Sequence, residues 1–477
     1  MTLVPLNGGF YKARALLANA QSCINLYPEI NPPDSTVRYS TYPTPGLLAL
    51  GIPPALGAGR CLYRTSTGEV YAVVAQNVYH VSDTWNFGVS IGTIVGPPNP
   101  CFMADNGQNI LLVDGTPNGY SINLATDAFA AIVDPDFFGG DRVDYLDQRF
   151  VLNKPGTSIF YYSLPLSLTF DPLDFAAKAG YPDHLVTLIV LRREIWLLGQ
   201  LTSEVWYNAG AVDAIFQQYP GSFMEHGAVS PYSVAKADVS CYWLGRDLQG
   251  QAIVFKGSNY QARRISTHAL EAEFQSYGVI SDAVGFTYQQ DGHLFYFISF
   301  PTANRTWCYD DSTNIWHQRA WTDPLNGVLN RHRANACCFA HDKNVVLDWE
   351  TGKLYAFDLG LFTDDTVPIS RVRAFPHLLN DGKRQQYKLF RAYMQCGNSL
   401  DTTPDNPPQI YLRFSDDGGQ SWKDRIGRSM GATGQYNVIP SWPRLGVGKD
   451  RVFELSWSVD AKTVLNGGWV DVQPLGS

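Results

Sequence analysis

The stretch Ser415-Asp416-Asp417-Gly418-Gly419-Gln420-Ser421-Trp422 follows the pattern Ser-x-Asp-x-Gly-x-Ser-Trp, an Asp box. Its residue types suit a hairpin turn. The Asp417 carboxylate accepts backbone N–H groups across the loop, Gly419 takes a positive φ, and Trp422 plugs the hairpin onto its sheet. Ser415, Asp417, Gly419, Ser421 and Trp422 are therefore expected to form a structural turn. Carboxylates also occur in pairs: Asp134 with Asp136, Asp310 with Asp311, Asp364 with Asp365, Asp416 with Asp417. Glycoside hydrolysis needs two carboxyls opposed across a cleft. Adjacent residues on a strand face apart, and carboxylates in turns are ordinary hydrogen-bond acceptors, so these pairs read as turn acceptors.

The nine His are dispersed, with no HExxH and no Cys/His cluster of zinc spacing. His332, between Arg331 and Arg333, reads as a surface residue. The eight Cys lack any CxxC pair and read as reduced thiols of a protein made in a cytosol. Five basic groups stand out: Arg192-Arg193, Arg263-Arg264, Arg331 with Arg333, Arg371 with Arg373, and Lys383-Arg384. They read as solvated turns or protein interfaces rather than phosphate grips. No Walker loop or GxSxG elbow is present. No catalytic residue, cofactor or metal is expected.

Charged residues make up 17% of the 477, against 45% hydrophobic and 13% aromatic, with 42 Gly and 29 Pro. Aromatics favour pleated strands, and Gly and Pro make the turns between them, so the chain reads as all-β. Seven apolar hairpins begin at Val70, Ile110, Arg149, Ile195, Cys241, Leu294 and Asn344. Their starts lie about 40 to 50 residues apart, the spacing of propeller blades. A β-propeller of six or seven blades is expected over 59–375. An extended arm, 1–58, with a short helix over the Ala- and Leu-rich 12–20, precedes it. A linker near 375–384 follows, and then the pattern changes. Ile410, Leu412 and Phe414, and Phe453, Leu455, Trp457 and Val459, alternate with polar residues. That period marks a C-terminal antiparallel β-sandwich over 385–477, with one face buried and one wet.

The net charge of -8 offers no basic footprint for reading DNA, yet it does not oppose DNA passage. The longest apolar run, 185–191, is far too short to span a membrane, so no membrane insertion is expected. Residues 1–10 lack the charged start and apolar core of a secretory leader.

Several blocks, in order, carry a resemblance. They are Asn25-Leu26-Tyr27-Pro28-Glu29, Thr44-Pro45-Gly46-Leu47, Asp147-Gln148-Arg149-Phe150, Phe160-Tyr161-Tyr162-Ser163, Phe170-Asp171-Pro172-Leu173, and Gly199 with Ser203-Glu204-Val205-Trp206 and Gly210. Asp291-Gly292-His293, Phe300-Pro301, Thr306-Trp307-Cys308-Tyr309-Asp310, Trp316-His317 and Asp450-Arg451-Val452-Phe453-Glu454 complete them. The chain resembles the tail-hub or nozzle (packaged-DNA stabilisation) proteins of short-tailed bacteriophages. The resemblance implies a structural, non-enzymatic component of the virion tail, made in the host bacterial cytoplasm. It implies a ring of six copies below the portal and its adaptor ring. Such a ring docks tailspikes or fibres, holds the tail plug or needle, retains packaged DNA and forms the ejection conduit. Double-stranded DNA would pass without sequence-specific binding. The alternative class is a propeller that binds or cleaves host-surface glycan, as sialidases do. Such an enzyme carries several Asp boxes on its propeller, whereas this chain has one, outside the repeats.

Overall fold

The computed structural model describes residues 2–475, apart from 5, 7, 212–213, 247–248, 251 and 398–406. Among the described residues there is one α-helix, His268–Gln275, and the rest of the regular structure is almost wholly strand. Six antiparallel sheets follow one another along the chain, at 59–93, 102–131, 143–177, 185–218, 227–264 and 284–319. These are blades one to six. Each of the seven hairpins expected from sequence is the middle pair of a blade, as with Val70–Val74 on Asn77–Val81 and His293–Phe300 on Arg305–Asp310. These middle strands are largely apolar because blades stack on both of their faces, as the fully buried Val70–Val74 shows.

Blade seven closes the ring, and it is composite. Ala334–Ala340, Lys343–Asp348 and Leu354–Asp358 supply three strands and Gly46–Gly51 supplies the fourth, with Thr363–Asp364 pairing in parallel on its far side. Leu47 and Phe357 pair across this seam, and Leu47 is 1% exposed. The first strand of each blade lies innermost, except that in blade five Gly227–Ala228 and Ala235–Ala237 share that position; neighbouring inner strands pack side by side around the axis, including blade seven on blade one.

The C-terminal region is a two-sheet sandwich. One sheet is centred on Gln385–Met394 and Leu465–Pro474, joined by Thr2–Val4, Leu26–Ile30 and Tyr39–Pro43 from the N-terminal arm. The other sheet continues a propeller blade. Ile315–Arg319, outermost in blade six, pairs in parallel with Cys23–Ile24, and that strand pairs with Ser370–Ala374. Asp450–Ser458, Gln409–Ser415 and Ile426–Ser429 extend it. Phe390, Trp442, Phe453, Leu455 and Trp457 fill the space between the sheets.

Two expectations fail. Residues 12–20 form no helix: Tyr11–Lys12 pairs with Ala20–Gln21, with a turn between. Local propensity there is overridden because the arm pairs with distant strands on both sides. Nor is 375–384 a free linker. Phe375 is fully buried, and Leu378–Leu379 pairs with Asp450 and Arg451.

Candidate functional site

The Asp-box turn joins Gln409–Ser415 to Ile426–Ser429 in the sandwich. Asp417 Oδ1 accepts from the Ser421 N–H at 2.9 Å and the Gln420 N–H at 3.1 Å. The Ser415 hydroxyl donates to Asp417 Oδ1 at 2.6 Å and accepts from the Gly419 N–H at 2.7 Å. The Ser421 hydroxyl donates to Asp417 Oδ2. These bonds, led by Ser415 and Ser421, hold the Asp417 carboxyl well below the usual carboxylate range. Gly419 has φ of +96°. Trp422 is only half-buried. It packs with Leu16, Ala20, Ala374 and Val452, beneath the Arg413 guanidinium at 4.6 Å. The turn therefore clasps the N-terminal arm over the residues whose composition suggested a helix.

The neighbouring carboxylate has a different duty. Asp416 takes a bidentate pair from the buried Arg451, at 2.6 and 2.9 Å. Two further pairs divide in this way. Asp310 is fully buried and bonds His293 at 2.8 Å, while Asp311 takes Lys256 at 2.8 Å. Asp365 meets Lys353 and Tyr355. Asp364 is buried, and loss of water pushes its carboxyl up to about 7 against the pull of Arg319, Arg371 and Arg333. Asp134 bonds the Asp136 and Phe170 N–H groups. In three pairs both carboxylates are engaged in turns, ion pairs or buried contacts, and in the fourth Asp134 is.

Three charged residues read as surface or interface are interior. His332 is 1% exposed, and burial holds its imidazole well below the usual range. Arg371 and Arg373 are fully buried where propeller, arm and sandwich meet. Arg371 donates to the Val459 carbonyl; Arg373 donates to the Gly9 and Ser22 carbonyls and to Gln21. Arg331 and Arg333 lie on aromatic rings, 3.6 Å from Trp349 and 4.2 Å from Trp321. Arg192 and Arg193 do form an exposed positive-φ turn. At the same junction Asn25, with φ of +54°, exchanges bonds with both the N–H and the carbonyl of Ala320 and donates to the Ser370 carbonyl.

The propeller axis holds a cavity of about 300 Å³. Sequence reading did not find it, because its walls come from inner strands and entry loops hundreds of residues apart. Arg60, Arg142, Lys236, Tyr232 and Asn335 supply its polar wall, and Cys61, Cys101, Cys337 and Cys338 line it too. Pro100, Tyr232, Val284 and Asn335 also border an adjoining 600 Å³ hollow that Asp282, Arg331, Trp349 and Glu350 help to form. Among the described residues no group of three or more His, Cys, Asp or Glu is placed to hold a metal ion. Among them, too, no helix is long and apolar enough to cross a membrane.

No curated protein matches the chain. Among solved structures, the computationally designed protein Ika8 is similar over 71% of this chain and 99% of its own, at 11% identity and a TM-score of 0.37. That likeness is too weak to carry an argument. A family match is far more extensive, running over residues 3–361 and so taking in the arm, the closing strand and all seven blades. The chain belongs to the phage-stabilisation family described as Bacteriophage P22 Gp10, beta-propeller.

Proposed function

We propose that this structural phage protein acts as the tail hub or nozzle: a ring of six copies below the portal and adaptor, retaining packaged DNA and forming its ejection conduit. Tailspikes or fibres dock outside it, and the tail plug or needle is held within. The observation that carries the reading is the narrow propeller axis in a chain of this family. The axial cavity of about 300 Å³ holds roughly ten waters. The major groove of B-DNA alone is about 12 Å wide. A duplex cannot thread one propeller, so a conduit built from this chain is bounded by several copies, each a closed and rigid wall. Six copies at -8 each carry -48, which repels a polyanion at long range and keeps the wall from trapping DNA in transit. Retention then comes from closing the channel with partners rather than from gripping phosphates. The engaged carboxylates favour this non-enzymatic role over glycan cleavage.

The test pairs a salt titration of duplex binding with DNA retention in particles assembled without this protein. Weak binding at physiological salt, with packaging intact and DNA then lost, is the expected result. Tight binding with a steep salt slope overturns the passive wall. Full retention without the protein removes the stabilising role.

A further inference from the structure

We propose that the propeller axis is a binding site for a small oxyanion, a phosphate or a carboxylate, held by Arg60 and Arg142. The cavity wall contains three cationic side chains, Arg60, Arg142 and Lys236, and no acidic one. That is the reverse of the chain as a whole, which is acidic. Lys236 is already matched, with Nζ 3.1 Å from Asp144 Oδ2. The two arginines differ. Arg60 is 2% exposed and donates only to the carbonyls of Asn99, at 2.6 Å, and Ala75, at 3.1 Å. Its Nη2 is buried with no hydrogen-bond partner. Arg142 donates Nη1 to the Val234 carbonyl at 2.7 Å and lies over the Phe102 ring at 4.6 Å. Burial pulls its pKa down, the mark of a cation short of water.

A guanidinium whose hydrogen bonds go only to carbonyls is costly to bury; Asp144 offsets part of that cost at Arg142 through space, Arg60 Nη2 has no partner at all, and an anion accepting from them relieves the remainder. Guanidinium is also the group best shaped for bidentate contact with phosphate or carboxylate. The other polar wall groups include donors, the Tyr232 hydroxyl and the Asn335 amide, which already gives one N–H to the Gly59 carbonyl. The volume suits inorganic phosphate or the acid group of a sugar, and the adjoining hollow offers an approach. The wall residues come from alternate parts of the ring: Arg60 from blade one, Arg142 at the entry to blade three, Tyr232 in blade five and Asn335 in blade seven. These blades share no sheet. An oxyanion at the axis would tie them together, so binding should stabilise the whole propeller.

The test uses the full chain, with isothermal calorimetry and thermal unfolding in inorganic phosphate against chloride at matched ionic strength. Phosphate is expected to give saturable heat and to raise the melting temperature with concentration, while chloride does neither. Arg142→Met should weaken binding about ten-fold, the loss of one charge-assisted hydrogen bond. Arg142→Lys, which keeps the charge without the fork, should fall between. Arg60 also holds two backbone carbonyls, so Arg60→Met is interpreted only if its circular dichroism matches the parent. A parallel titration with glucuronate separates the sources: tighter phosphate binding assigns a free phosphate, tighter glucuronate binding a sugar carboxylate, and either supports the site. A result in which neither phosphate nor glucuronate acts differently from chloride, or binding unchanged in Arg142→Met, overturns it.

Discussion

Leu47→Ala tests whether the strand from the arm truly closes the propeller. Leu47 is 1% exposed and lies in one cluster with Tyr27, Val346, Tyr355 and Phe357. Buried Leu→Ala changes cost about 3 to 5 kcal/mol, less where the surroundings collapse into the gap. Collapse is hindered here. The next residue back, Gly46, sits so close that a Cβ would lie 2.5 Å from the carbonyl oxygens of both Leu361 and Thr363. On the other side, Gly46–Gly51 is hydrogen-bonded along Leu354–Asp358. The backbone is clamped on two sides, so a loss of about 3 to 4 kcal/mol is expected. Leu48, one residue on, points the other way and is 37% exposed; Leu48→Ala should cost about 1 kcal/mol or less. Denaturant unfolding of the two variants measures the difference, provided their m-values agree. Hydrogen exchange adds a local readout, since the amides of Leu354–Asp358 should lose protection in Leu47→Ala alone. Equal stability of the two variants, or unchanged exchange along Leu354–Asp358, would refute closure by the arm.

Asn25→Ala should destabilise the chain by about 3 to 5 kcal/mol, because it strands buried partners on Ala320 and Ser370 and puts a Cβ-bearing residue without local hydrogen bonds at positive φ. Asn25→Gly, which tolerates the backbone, should recover only the smaller, conformational part in denaturant titration; full recovery would show that the side-chain bonds carry nothing. His317 is fully buried, neither ring nitrogen has a partner, and burial, with Arg319 nearby, brings its pKa to about 3. The unfolded chain takes up that proton near pH 6.5 and the fold does not, so stability is lost as pH falls from about 6.5 towards 3. His317→Leu should flatten that part of the pH–stability curve, and a curve parallel to the parent would sink the assignment.

The blades were legible because each middle pair carries its signal within some fifteen residues: an apolar run, a Gly- or Asn-rich turn, an apolar run. The pairing that completes blade seven was not, since Leu47 and Phe357 are brought together from opposite ends of the propeller. Residues 12–20 misled for a related reason. Their Ala and Leu content favours a helix, but the partners that hold them, Trp422, Ala374 and Val452, lie far along the chain. Charge misled at Arg371, Arg373 and His332. A charged residue is taken as exposed unless its buried acceptors are known, and here several of these are backbone carbonyls, which composition cannot reveal. The Asp-box turn was local and readable in outline. The half-burial of Trp422 depends on the arm, and so it was not.

The junction of propeller and sandwich has an unusual balance of charge. Arg319, Arg371 and Arg373 are all buried there, while Asp364 is the buried acid among the groups acting on them. Among the described residues, salt bridges do not hold this joint. Arg319 donates to the Pro45 carbonyl, Arg371 to Val459 and Arg373 to Gly9, so each guanidinium fixes a backbone segment distant in sequence. Nitrogens on all three remain without partners, so the arrangement is not optimised for stability. Apolar residues of similar volume would often serve stability as well or better. What they could not do is hold four chain segments in one geometry, because a guanidinium donates in several fixed directions at once. The continuous sheet running from blade six through Cys23–Ile24 into the sandwich acts to the same end. The two halves therefore move as one body.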